Sequence, residues 1–336
     1  MELFGDPAQW LPFTFAALMG VSILVYVVLD GFDLGVGILF PFASDAEKDV
    51  MVASIGPFWD ANETWLVLAI GLLLVAFPAA HGAILTSLYL PVAIMLIGLI
   101  LRGVAFEFRV KAPTPHKATW NWAFFAGSLM TSLSQGFMLG KYLMGLESTL
   151  GTWIFAMITA VFLTVAYSFI GACWLILKTE EGLQRKSVAW AKGGIWGLVL
   201  GLGLVSMATP LVSTRIFDKW FSFPEMLYLA PLPMLSGLIV LLMWRSLQSL
   251  PKPDDRGART PFLYAIALFV LAFGGLAYSF YPYVVPEKLT IYEAASAPES
   301  LFIILVGTVF VLPMIAGYTA LAYTVFKGKA VELRYD

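Results

Sequence analysis

The chain has 336 residues, 60% of them hydrophobic and 12% charged, with a net charge of −2 and a mean hydropathy of +0.85. That charged fraction, about half that of an ordinary soluble domain, excludes a soluble globular enzyme, and the balanced charge offers no basic face for nucleic acid. The apolar residues fall in blocks of about 20, enough to cross roughly 30 Å of hydrocarbon as helices, and the alternating strands of a membrane barrel are absent.

In chain order, the opening "MELFGDPAQWLP" lacks a basic n-region and a small-residue cleavage site, so it reads as a mature N-terminus. Helices are predicted over 12–40, 50–77, 80–108, 120–141, 152–178, 188–209, 224–247, 261–282 and 300–326. No connecting loop exceeds about 20 residues, which leaves no room for a soluble domain. A faint echo links "YVVLDGFDLGVGIL" and its acidic loop in the first span to "YSFIGACWLIL" and "KTEEG" in the fifth. The expected architecture is an all-α polytopic membrane protein with about nine transmembrane helices, as two four-helix bundles plus one peripheral helix. The predicted divisions are 1–141, 142–282 and 283–336, the last holding an outside loop, the ninth helix and a tail.

Loop charge sets an orientation. With the N-terminus outside, the cytoplasmic segments hold Lys48, Arg109, Lys111, Lys117, Lys178, Arg185, Lys186, Lys192, Arg245, Lys252, Arg256, Arg259, Lys327, Lys329 and Arg334. The outside segments hold only Lys141, Arg215, Lys219 and Lys288, and Arg102 lies within a span. This bias predicts a periplasmic N-terminus and a cytoplasmic C-terminus.

On that topology the charges within the spans share a level. The first helix brings Asp30 and Asp33 to its cytoplasmic end, the second enters with Asp60 and Glu63 in "GPFWDANETW", and the third returns with Arg102 and Glu107 in "RGVAFEFR". Six ionisable side chains are thus expected to converge in the cytoplasmic third of one bundle. The fourth helix adds Asn121 and, deeper, Ser128, Thr131, Ser132 and Gln135. Gly31 and Gly35 offer a G-x-x-x-G face for close helix approach. One arginine cannot neutralise five carboxylates, so two roles compete: a structural ion-pair network, and a proton relay. Asp60, flanked by Trp59, Asn62 and Trp65, is the leading relay residue.

Cys173 sits in an apolar run and reads as a small core residue. The segments "LDGFDLGVGIL", "IGPFWDANETWLV", "RGVAFEFR" and "QGFMLG", in this order on helices one to four, resemble subunit II of a cytochrome bd-type quinol oxidase. The shorter length is similar to the cyanide-insensitive branch. The resemblance covers the whole chain, although its sharp motifs lie in the first 140 residues.

It implies a heterodimer in which subunit I carries the quinol site and three haems, two b-type and one d-type or b-type, while subunit II ligates none. The residues agree: His81 and His116 are the two histidines, both predicted at helix ends or in loops, and haem iron takes mainly His, Cys or Met. No metal site and no complete active site are expected in this chain. The resemblance also implies proton uptake from the cytoplasm through the aspartate of the W-D-x-N box, here Asp60 with Trp59 and Asn62. Asp33 and Arg102 match positions that look structural, and Asp30 and Glu107 are grouped with that network. Glu63 departs from members with a neutral amide there, and stands as a second relay carboxylate or another network ligand. Some members hold a structural quinone in subunit II, and some complexes carry a small third subunit; no motif here selects between having and lacking either. The implied setting is the bacterial cytoplasmic membrane, with lipid, quinol and subunit I as partners. Without the resemblance, a proton-coupled secondary transporter is the first rival and a purely structural assembly subunit the second. Transporters place sites between two related halves, whereas spans five to nine here carry no mid-span charge.

Overall fold

The structure is a computed structural model and describes residues 5–330. Arg334, counted in the cytoplasmic charge set, and the first four residues of the predicted N-terminus lie outside the described residues. The chain is a bundle of antiparallel helices. α1 (Pro7–Leu39) is followed by α2 (Asp45–Ile55), α3 (Trp59–Ala76), α4 (Pro78–Lys111), α5 (Thr114–Leu143), α6 (Leu150–Lys178) and α7 (Glu181–Val212). Two short helices, α8 (Thr214–Phe221) and α9 (Glu225–Leu229), precede α10 (Pro231–Gln248) and α11 (Thr260–Phe280). A hairpin of β1 (Tyr283–Val285) and β2 (Leu289–Thr290) leads to α12 (Pro298–Val325).

Among the described residues eight stretches are long and apolar enough to cross a membrane: α1, α3, α4, α6, α7, α9 with α10, α11 and α12. The remaining expected span is α5, whose 30 residues carry the predicted serine, threonine and glutamine positions and are correspondingly less apolar.

The predicted second span, 50–77, is in fact two helices. Pro57 has no N–H to continue the ladder, so α2 stops at Ile55 and α3 begins at Trp59. The charged start of α2 folds because Ser44 and Glu47 form a reciprocal capping box. Glu47 also pairs with Lys186 at 2.7 Å, and Asp49 with Arg109 at 2.8 Å, tying α2 to α7 and α4. Pro231 likewise divides the predicted seventh span, and α4 bends at Leu88, ahead of Pro91.

α1 is the central helix. Every residue from Asp30 to Phe40 is buried, against α3, α5, α6 and α11. Its approach to α6 is backbone to backbone: a Cβ on Gly35 would lie 1.8 Å from the Tyr167 carbonyl oxygen, and one on Gly171 2.6 Å from the Gly35 carbonyl carbon. Beside this contact an aromatic cluster closes the bundle end. Phe32 stacks on Trp174 at 4.2 Å, Phe58 on Tyr323 at 4.5 Å, and the Trp174 indole donates to the Ser54 carbonyl at 3.2 Å.

α12 packs lightly on α1 and α3 and is fixed at its two ends. At its start the Ser296 backbone N–H donates to the Ala76 carbonyl at 2.8 Å. At its end Lys178 donates to the carbonyls of Phe326 and Gly328, at 2.5 and 2.9 Å, and Lys329 to that of Thr179 at 2.8 Å. At the opposite pole of the bundle Glu287, in the hairpin turn, accepts from Ser213 at 2.8 Å and Arg215 at 3.0 Å. Burial alone would raise its carboxyl, but these hydrogen bonds hold it below its ordinary value.

Candidate polar site within the bundle

Four of the six predicted ionisable residues meet. Arg102, 1% exposed, reaches across from α4; one of its terminal nitrogens donates to Asp30 Oδ1 at 2.6 Å and to Glu63 Oε1 at 3.0 Å. Its other terminal nitrogen lies 3.7 Å from Asp33 Oδ2. The two aspartates are fully buried, and the Glu63 side chain is 26% exposed. Asn62, next to Glu63 on α3, donates to Asp33 Oδ2 at 2.7 Å and accepts from the Tyr323 hydroxyl of α12 at 3.1 Å. Four helices therefore contribute: α1 both aspartates, α3 the amide and the glutamate, α4 the cation, and α12 a phenol.

The other two predicted members are elsewhere. Asp60 and Glu107 are on exposed faces of α3 and α4, so the expected convergence of six narrows to four. Helix geometry explains both. At about 100° per residue, Asp60 sits about 200° round from buried Asn62, and Glu107 about 140° round from Arg102. Trp59 packs on Phe106 with ring centroids 5.3 Å apart, beside the network and not in it. Asn121 accepts from Arg109 at 2.6 Å near α2. His81 is half-buried in the first turn of α4, His116 is exposed on α5, and Cys173 is buried. Among the described residues no group of three or more His, Cys, Asp and Glu is placed to hold a metal ion.

Two features decide what the network can do. Three carboxyls face one guanidinium, and full ionisation would leave net negative charge among fully buried atoms, which costs several kcal/mol per uncompensated ion. At least one carboxyl is therefore stable there only as the acid or with water beside it. In addition, Asp30 Oδ2, Asp33 Oδ1 and a terminal nitrogen of Arg102 have no hydrogen-bond partner among the described residues. Buried polar atoms are normally satisfied, so these are positions that a water, or the proton of a neutral carboxyl, would satisfy. Glu63 is the carboxyl of the network that is in contact with the exterior, and Asp60 stands one turn before it on α3, the spacing at which helical side chains interact.

A further polar group borders the network. Tyr167 on α6 donates to Gln135 on α5 at 2.7 Å, and Gln135 donates to Tyr26 on α1 at 2.6 Å. Tyr26, Tyr167 and Tyr323 did not stand out as polar-site residues in the sequence. The two echoing segments do open at Tyr26 and Tyr167, a signal that could have found that pair.

Known proteins are similar to this chain along its length. The profile of the family described as cytochrome bd terminal oxidase subunit II matches residues 11–326. The cytochrome bd ubiquinol oxidase subunit 2 of Bacillus subtilis is 28% identical over 92% of this chain and 94% of that protein. Cytochrome bd-I ubiquinol oxidase subunit 2 of Escherichia coli K12 is 27% identical over 96% of both chains. A solved bd oxidase structure from Geobacillus thermodenitrificans superposes with a TM-score of 0.74 at 16% identity, covering 96% of this chain and 100% of that one, which shows a shared fold. With the match running from residue 11 to residue 326, the chain belongs to the cytochrome bd terminal oxidase subunit II family, and so is a multi-pass membrane subunit of an oxidoreductase complex.

Proposed function

We propose that this chain is the haem-free subunit II of a quinol:oxygen oxidoreductase in a bacterial cytoplasmic membrane, and that it supports a haem-bearing subunit I and contributes to proton uptake from the cytoplasm as oxygen is reduced to water. The relatives from Bacillus subtilis and Escherichia coli, each a ubiquinol oxidase subunit 2, support the reaction class. Haems, quinol and the reacting oxygen are assigned to subunit I, and the two bundles over 1–141 and 142–282, with the loop, ninth helix and tail of the 283–336 division, form the scaffold that receives it. The observation that carries the proton role is the run from exposed Asp60, through half-exposed Glu63, to Arg102 and fully buried Asp30. A carboxyl on the surface, a second one turn inward and a third beyond the guanidinium form a graded entry for protons. Asp33, Asn62 and Tyr323 hold the frame in which that entry is set; Trp59 flanks it, and Glu107 stays on the exposed face of α4.

Asp60→Asn keeps the side chain's size and removes a titratable group. Turnover per haem in the assembled oxidase should fall several-fold, more steeply at high pH where protons are scarce, and Asp60→Glu should recover part of the rate. Unchanged turnover across the pH range at normal haem content would place proton entry wholly in the partner.

Topology is checked separately. A reporter fused to the C-terminus should read the cytoplasm, and one inserted in the 283–299 loop the periplasm. Reversed signals would invert the direction of the proposed proton entry.

A further inference from the structure

The buried side chains change character along the bundle, and they do so on four helices together. On α1 the column of Asp33, Asp30 and Tyr26 gives way to Phe15 and Leu11, both fully buried. On α3 Asn62 is followed by Leu72 and Ala76, and on α4 Arg102 gives way to Met95 and Leu88. The polar stripe of α5 ends at Gln135, and Met138, one turn on, packs against the apolar layer. The hydroxyls on these stretches of α1 and α5 are committed: Ser22 and Thr14 donate to carbonyls four residues back on α1, and Tyr142 to the Val284 carbonyl at 2.9 Å.

The layer is completed from outside the spans. Beyond the hydrogen-bonded pair Asp33 and Asn62, α1 continues for about 39 Å and α3 for only about 21 Å, at 1.5 Å per residue. The hairpin fills the space over the shorter helix, with Val285 (0% exposed), Val284 and Ile291 in one cluster with Leu11, Phe15 and Leu72. Ser296 satisfies carbonyls that the end of α3 leaves unpaired: its N–H donates to Ala76 at 2.8 Å and its hydroxyl to Val75 at 2.7 Å. The polar tip stays out of this cluster, Glu287 held by Ser213 and Arg215, and Lys288 paired with Glu147 at 3.1 Å. A loop that only joined two spans would not need to bury three β-branched side chains in the bundle.

We propose that the hairpin and the apolar layer beneath it are a proton seal, which keeps protons that enter the carboxyl network from leaving at the opposite pole of the bundle. The proposal rests on the reading of that network as a proton route. Protons cross a membrane protein by way of ionisable groups and water. The layer offers neither, because apolar spaces stay dry and close a path by dewetting. On α1 it runs from Leu11 to Met19, about 12 Å along the helix. Without it, a proton admitted at Glu63 could continue along Tyr26 and Gln135 to the far side, and one-sided uptake would be lost. The hairpin is thus the lid of the seal, and Val285 its most deeply buried strand residue.

The experiment reconstitutes the assembled oxidase into liposomes and follows passive proton flux under an imposed potential, without quinol. Haem content and turnover in detergent are measured on the same preparations. Val285→Asn places an amide in the layer and should raise the flux several-fold at unchanged haem content and turnover. Leu247→Asn, at a fully buried position of α10 away from the layer, is the matched control and should leave the flux unchanged. Should Val285→Asn fail to assemble, Val285→Thr, which keeps the branched shape and adds one hydroxyl, carries the test. Flux equal to that of the unmodified complex, or an equal rise in Leu247→Asn, overturns the seal, whatever Asp60→Asn does to turnover. Asp60→Asn in the Val285→Asn background separates the seal from the route it closes. Loss of the extra flux supports both, and extra flux that persists supports the seal while removing Asp60 as the entry.

Discussion

Arg102→Leu is expected to abolish most of the assembled, haem-bearing oxidase. The guanidinium is the common partner of three carboxyls, at 2.6 Å from Asp30, 3.0 Å from Glu63 and 3.7 Å from Asp33. Removing it leaves Asp30 and Asp33 facing each other, both fully buried, with no countercharge among the described residues. Breaking a buried pair by deleting one partner costs roughly 3–5 kcal/mol, a large part of the stability a domain has. Glu63 adds less, because solvent reaches it and screens the loss. Arg102→Lys should fail nearly as badly: one ammonium on a flexible stem cannot span three acceptors as the planar fork does. A second change identifies the cause. If stranded charge is what destabilises the bundle, Asp30→Asn in the Arg102→Leu background should restore part of the yield. Normal recovery of haem-loaded complex from Arg102→Leu would show that the network does not hold the bundle together.

Much of this site was legible before any coordinates, and the reasons are geometric. Consecutive antiparallel helices joined by short loops must return to the same membrane level, so the acids of α1 and α3 and the arginine of α4 had to lie at one depth. Depth does not fix azimuth. Asp60 and Glu107 share the depth but point away, and both could have been separated from the network by counting degrees from Asn62 and Arg102. The contribution of Tyr323 could not be read, because Tyr323 is 261 residues from Asn62 in sequence and the place of α12 against α3 is decided by packing. Helix breaks were lost to the hydropathy pattern in the same way. Pro57 lies within a continuous apolar block, and only the cost of its missing N–H distinguishes two helices from one. The 283–299 loop hides the hairpin because its strands are only three and two residues long.

Gly35→Ala should be nearly as damaging as the loss of Arg102, although it adds one carbon and no charge. In an exposed helix interior this change would stabilise by up to about 1 kcal/mol, since alanine loses less backbone freedom than glycine. At Gly35 the added carbon would fall 1.8 Å from the Tyr167 carbonyl oxygen, 2.6 Å from its carbon and 3.1 Å from the Gly171 Cα. These are backbone atoms of a neighbouring helix, so no side chain can rotate away. α1 and α6 must separate, and the cost exceeds the roughly 1–3 kcal/mol typical of overpacking. Separation would also carry Tyr167 away from Gln135 and shift Asp33, two residues from Gly35, out of the reach of Asn62. Loss of stability and of the polar site are therefore coupled at this position. Gly193 in α7, where a Cβ meets no atom within 4 Å, is the matched control. Thermal inactivation of the solubilised complex should come at much lower temperature for Gly35→Ala and at an unchanged or higher one for Gly193→Ala. Equal midpoints for the two variants would mean that α1 and α6 can part without consequence, and that the close contact of Gly35 with Gly171 is not what sets the geometry of the site.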